Sequence, residues 1–148
     1  MANTYVKNFM HVVFHTKDKC VLMLASDLDR IHGYIGGIVR GLGGEAIQVG
    51  GMTDHVHMLV SLPKTMTLAD FMRKIKAESS KWVKTLDAHY SQFAWQAGYG
   101  AFSVSTSLEQ KVIAYIRNQA EHHKVRTFME EYQLFLKANG IEYDERFL

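Results

Sequence analysis

The order in which apolar patterns follow one another along this chain limits its fold more than any single residue does. Residues 4–17, TYVKNFMHVVFHTK, are rich in β-branched and aromatic side chains and read as a strand with apolar groups on both faces. Residues 26–44 change to helical spacing, with Leu28, Ile31, Ile35, Ile38, Val39 and Leu42 on one arc. Ser26 and Asp29 form a capping pair for that helix, and Gly43 and Gly44 stop it. Two short strands follow, 45–52 and 55–62, joined by a turn around Gly50, Gly51 and Asp54. A second helix, 67–86, is capped by Thr67 with Asp70, and Leu68, Phe71, Met72, Ile75, Trp82, Val83 and Leu86 make its expected buried stripe. Residues 99–105 supply a fourth strand. A third helix runs from near Ser107 to about Lys124, and a short last helix spans 127–139.

Strand, helix, strand, strand, helix, strand is the order of a split βαβ unit. The expected fold is therefore α+β, a ferredoxin-like (RRM-like) antiparallel sheet with two helices on one face. Its first and third strands are central neighbours. The third helix then packs on the face the first two leave uncovered.

With 148 residues and no Pro- or Ser-rich linker, the chain reads as one domain, 1–148. Cys20 is the only cysteine, so no internal disulfide forms, which fits a reducing compartment. No stretch approaches the ~20 apolar residues of a membrane helix, and the N-terminal segment carries Lys7, Lys17, Asp18 and Lys19. A soluble, cytoplasmic protein with no membrane partner is expected. A net charge of +2 is compatible with nucleic acid without demanding it.

Chemistry is concentrated in two places. DHVHMLVSL, 54–62, puts His55 and His57 on one face of a strand, where alternation sends Val56 the other way. Alone they read as two half-exposed histidines at a strand end, because a metal site needs a further ligand. EQKVIAYIRNQAEHH, 109–123, puts Ile113, Ile116 and Ala120 on one packing stripe. Tyr115 and Gln119 share another face, with Lys111 and His122 beside them. A tyrosine at the core margin among solvated polar groups is the bland reading of that face. His11, His15 and His32 read as structural, with nothing to pair them.

Together, the His-hydrophobic-His strand and the later Tyr115-Ile-Arg-Asn-Gln119 helix resemble the HUH endonuclease superfamily. The chain is most similar there to the single-tyrosine transposases of small bacterial insertion sequences and their domesticated, REP-associated relatives. GGMTDHVHMLVSL, WQAGYGAFSVS, YIRNQAEHHK and the tail YDERFL all carry the likeness, in order. The resemblance implies that His55, His57 and Gln119 hold a divalent metal, Mg²⁺ or Mn²⁺, and that Tyr115 is the nucleophile. Asn118 lies on a different side of the helix. It further implies a homodimer acting on single-stranded DNA with hairpin ends, in a prokaryotic, nucleoid-associated setting. HTKDKC departs from the family pattern, since Asp18 interrupts a basic cluster that relatives carry after the first strand.

Two neutral imidazoles and an amide oxygen leave a cation its charge and open positions for phosphate oxygens, which suits Mn²⁺ and Mg²⁺. A phenol with a pKa near ~10 needs activation at neutral pH, and His122 is a possible base. Lys17, Lys19, Arg73, Lys74, Lys76 and Lys111 are candidate phosphate contacts, although a basic helix face is as often simply solvated. Two other functions stay open. A metal-dependent hydrolase of a small molecule would want a carboxylate base, for which Asp54 is the nearby candidate in sequence. A non-catalytic nucleic-acid module would use the same sheet, but the aromatic stacking motif of RNA-recognition domains is absent.

Overall fold

In a computed structural model, which describes residues 3–18 and 20–148, four strands form one antiparallel sheet. They are β1 (Phe9–His15), β2 (Glu45–Met52), β3 (His55–Ser61) and β4 (Gly100–Ser103), in the spatial order β2-β3-β1-β4. The helices are α1 (Leu28–Gly41), α2 (Leu68–Val83), α3 (Glu109–Arg117), α4 (Gln119–His122) and α5 (Phe128–Ala138). This is the predicted antiparallel α+β sheet, with β1 and β3 at its centre. None of the described helices is long and apolar enough to cross a membrane.

Alternation along β1 and β3 gives each sheet face its own core. Val12, Phe14, Val56, Met58 and Val60 point to one side and pack with Ile31, Ile35 and Val39 of α1 and Phe71, Met72 and Ile75 of α2. The other side is covered by the later helices in two smaller clusters. Val13 and Phe102 meet Phe128, Tyr132 and Leu136 of α5. Phe9 and Leu59 meet Ile116 of α3. Gly50 makes the last contact possible: a Cβ there would lie 2.8 Å from Ile116 Cγ2 and 2.9 Å from the Ile116 carbonyl oxygen.

Several local expectations change. The hairpin turns at Thr53 and Asp54, while Gly51 stays inside β2 with φ 142°. Ser26 does not cap α1. A 3₁₀ turn over Ala25–Asp27 precedes that helix, and the buried Asp27 accepts hydrogen bonds from Tyr90 at 2.5 Å and Arg30 at 2.6 Å instead. Ser107 likewise lies in a 3₁₀ turn before α3, without a capping bond. Thr67 caps α2 as expected, accepting from the Asp70 amide at 3.1 Å. The predicted single third helix is broken at Asn118, whose ψ of 24° ends α3 and starts α4.

Candidate active site

β3 carries His55 and His57 on the face covered by α3–α5, and both side chains are wholly buried. Register places His57 opposite Val13 and His55 opposite His15, so the histidines sit mid-sheet. Each ring is anchored through Nδ1. His55 Nδ1 donates to Asp54 Oδ1 at 2.6 Å, and His57 Nδ1 lies 2.8 Å from His11 Nε2. His11 is thus paired, contrary to the sequence expectation, because β1 is the neighbour of β3. Of the other two histidines read as structural, His15 Nδ1 is 3.0 Å from the adjacent Thr16 carbonyl oxygen, and the His32 Nε2 is buried without a partner among the described residues.

The free Nε2 atoms converge on groups from the helices. His55 Nε2 is 2.7 Å from Gln119 Oε1. His57 Nε2 is 2.8 Å from Glu131 Oε1. Gln119 also donates through Nε2 to Glu131 Oε2 at 3.1 Å, and the Tyr115 hydroxyl donates to the same oxygen. His123 closes the ring, with Nε2 3.1 Å from Gln119 Oε1 and 3.4 Å from Glu131 Oε1. One chain therefore gathers Tyr115, Gln119, His55 and His57 around a carboxylate.

That carboxylate was not foreseen. Glu131 sits on α5 between Phe128 and Phe135, and is 1% exposed. A lone acid within an apolar helical stripe is the signal that marks it, since such a group stays buried only when its oxygens are satisfied. His122, the suggested base, does not bond the phenol. Its ring stacks on that of Tyr115 with centroids 4.2 Å apart, and Glu131 is the acceptor.

Burial and bonding set the protonation of the cluster. Desolvation opposes ionisation of Glu131, but the bonds and charge of His57, with those of Tyr115 and Gln119, outweigh it and hold the carboxyl below its usual range. Burial, then the Glu131 carboxylate, pushes the Tyr115 phenol above its ordinary value. Burial lowers His57, and lowers His11 to about 3, so His11 is neutral at working pH. Asp54 is held low because its bond and charge pairing with His55 outweigh burial.

A divalent cation fits the donors present. His55, His57 and Glu131 each offer a ligand atom, all within 4.8 Å of one another, and Gln119 Oε1 adds an amide oxygen beside them. Mixed imidazole and oxygen donors match Mn²⁺ or Mg²⁺.

The candidate DNA contacts are dispersed. Lys17 is exposed at the end of β1 and lines a cleft of about 600 Å³ with Asp54, Gln96, Phe128 and Arg146. Lys111 is exposed on α3, one turn before Tyr115. Arg73 and Lys74 are exposed on α2, across the sheet from the histidines, and Arg73 pairs with Asp70 at 3.5 Å. Lys76 is committed to structure: its ammonium donates to the Gln96 and Gly98 carbonyls at 2.6 and 2.7 Å. Lys19 lies outside the described residues. Trp95 is buried, with Nε1 donating to Ser79 Oγ at 3.0 Å, and so serves the core.

Residues 4–119 match the family model described as transposase, IS200-like. The chain belongs to that family. Helix α5, which brings Glu131, lies beyond the matched stretch. A candidate transposase from Deinococcus radiodurans R1 has a similar crystal structure, with TM-score 0.61 and 22% identity over 80% of this chain and 96% of the other. A REP-associated tyrosine transposase bound to a REP hairpin is also similar, with TM-score 0.60 and 15% identity over 83% of this chain and 73% of the other. At these identities the likeness establishes the shared fold. No curated protein matches the chain.

Proposed function

We propose that this transposase-family chain cuts and rejoins single-stranded DNA by transesterification through Tyr115. The observation that carries the reading is the convergence of the phenol with His55, His57 and Gln119 on one buried carboxylate. The phenol oxygen bonds to phosphorus as the bond from phosphorus to the 3′ oxygen breaks. A 5′-phosphotyrosine and a free 3′ hydroxyl result, and the ester keeps the energy needed to join a new end.

Glu131 already accepts the phenol hydrogen, so the departing proton has a receiver in place. The phenol keeps that proton until attack, because burial and the carboxylate raise its pKa. His55 Nε2, His57 Nε2 and an oxygen of Gln119 or Glu131 would hold Mg²⁺ or Mn²⁺. Such a cation stabilises the negative charge that builds on the phosphoryl group. Gln119 orients the site by donating to Glu131 Oε2 while its Oε1 sits 2.7 Å from His55 Nε2, and the His122 ring packs flat on Tyr115.

Single-stranded DNA with hairpin ends is the proposed substrate, as the hairpin-bound neighbour suggests by its own ligand. Unpaired strands suit a site recessed under helices, which a stacked duplex backbone cannot enter. Of the lysines and arginine foreseen as phosphate contacts, Lys17 and Lys111 are the exposed ones proposed to meet the backbone near the site. The active particle is proposed to be a homodimer, so that two ends are exchanged together. Sedimentation showing only a 16.9 kDa species at micromolar concentration would exclude that.

The buried carboxylate also favours a second reading, a metal-dependent hydrolase in which Glu131 activates water. One experiment separates the two. Single-stranded DNA labelled 3′ of the cut is incubated with Mn²⁺ and run on a denaturing gel. A labelled protein band in wild type, absent from Tyr115→Phe, supports the transposase mechanism. Cutting without a covalent band at any time, or a band that persists in Tyr115→Phe, refutes it.

A further inference from the structure

The proposed cation site explains four of the buried polar side chains on the α3–α5 side of the sheet, but not His11. That residue lies on central strand β1, is 4% exposed, and is surrounded by rings. Phe135 meets it edge-on with centroids 5.0 Å apart, and Phe102 and Tyr115 do so at 6.3 Å. A phenylalanine would satisfy such surroundings without burying polar nitrogens. What the imidazole adds, among the described residues, is one hydrogen bond, from Nε2 to His57 Nδ1 at 2.8 Å.

We propose that His11 is a positioning residue that holds His57 ready for a divalent cation, through a hydrogen bond that works in either direction. The proposal rests on the cation site assigned above. In this structure His57 Nε2 lies 2.8 Å from Glu131 Oε1 and donates to it, so Nδ1 is the acceptor and His11 Nε2 the donor. To serve as a ligand, Nε2 must offer its lone pair, and its hydrogen must move to Nδ1. The Nδ1–H then needs an acceptor in the same place. A histidine provides one: its own hydrogen shifts from Nε2 to Nδ1, and the bond persists with donor and acceptor exchanged. Each imidazole changes tautomer and no proton is gained or lost overall. His57 thereby keeps its ring orientation in both conditions, as outer partners of ligating histidines generally ensure. Asp54 cannot reverse in this way, because an ionised carboxylate only accepts, and it fixes His55 with the hydrogen on Nδ1.

The test uses the full chain with Mn²⁺ and Zn²⁺ as probes. His11→Phe keeps the ring packing and should fold, as judged by circular dichroism and melting, but bind Mn²⁺ about 10–100-fold more weakly by titration calorimetry. His11→Asn, whose amide can donate or accept, should recover part of that loss. Long-range ¹⁵N NMR of wild type should show the His57 hydrogen on Nε2 without metal and on Nδ1 with Zn²⁺. That signature does not depend on any variant folding. Equal Mn²⁺ affinity in folded His11→Phe, or a His57 tautomer that Zn²⁺ leaves unchanged, overturns the proposal while the cation site stands. Failure of wild type to bind either ion overturns the cation site, and this proposal with it.

Discussion

Glu131 is the perturbation that tests the site most directly, because three donors depend on it. Its Oε1 faces His57 Nε2 at 2.8 Å, and its Oε2 accepts from Gln119 at 3.1 Å and from Tyr115. In Glu131→Ala, His57 and Gln119 lose their acceptor in a region closed to water, while half-buried Tyr115 reaches solvent. Each buried, unsatisfied donor costs about 1–3 kcal/mol, so a loss of about 2–6 kcal/mol is expected. For a domain of this size that is a fall in Tm of roughly 5–20 °C, at about 3 °C per kcal/mol. Glu131→Gln keeps the volume and one acceptor oxygen. Its NH₂ group can face His57 if that ring presents a bare Nε2, so the loss should be smaller, about 1–2 kcal/mol. Thermal and guanidinium unfolding of both variants, metal-free, measure the difference. A Glu131→Ala protein melting within about 2 °C of wild type would show that the carboxylate does not organise the cluster.

Other outcomes follow from the same geometry. Lys76→Met removes an ammonium that bridges two carbonyls, so it should lower the unfolding midpoint yet leave the salt dependence of DNA binding unchanged; a shallower salt slope would return Lys76 to the DNA interface. The bonds of Tyr90, then Arg30, hold Asp27 below its ordinary pKa, so its stabilisation is full above about pH 4 and is lost as pH falls through the folded value. The stability gap between wild type and Asp27→Asn should therefore narrow in acid, and a constant gap from pH 7 to pH 3 would contradict it. Hydrogen exchange should find amides of α5 opening before those of β1 and β3, and equal protection across all three would mean that α5 is no separate unit.

The sheet was legible because its signals are local. β2 and the start of β3 fall where alternation and the hairpin residues put them, and Thr67 caps its helix. The expected family is the one the chain belongs to, and the residues that carried the resemblance do meet in space: Tyr115 and Gln119 reach the histidines of β3 through Glu131. What sequence could not give are partners fixed by tertiary packing. Glu131 is twelve residues beyond Gln119 on another helix, and only the fold of α5 onto the sheet brings it in. The pairing of His11 with His57 depends on the β1–β3 register, and the burial of Lys76 against Gln96 and Gly98 depends on a loop with no periodicity. His122 looked like a base because helix spacing fixes a face but not which atom points at the phenol. The break at Asn118 left its ring stacked instead.

The two halves of the site differ in how firmly the fold holds them, and the proposed chemistry needs that difference. His11, His55 and His57 stand on the two central strands, which belong to the large core shared with α1 and α2 on the opposite face. Removing them from place means unfolding the sheet. Tyr115, Gln119 and Glu131 come from α3, α4 and α5, which reach the sheet through the small clusters around Ile116 and around Phe128, Tyr132 and Leu136. Regions held by few apolar contacts open at lower free energy than the core they cover. The proposed phosphodiester substrate must touch both halves, yet His55, His57, Gln119 and Glu131 are almost wholly enclosed in this arrangement. On the proposed function, entry of a strand requires the helical half to lift while the histidines stay fixed. The layout supports that division of movement: a rigid pair of imidazoles in the sheet, and the proposed nucleophile, Tyr115, on helices held by fewer apolar contacts.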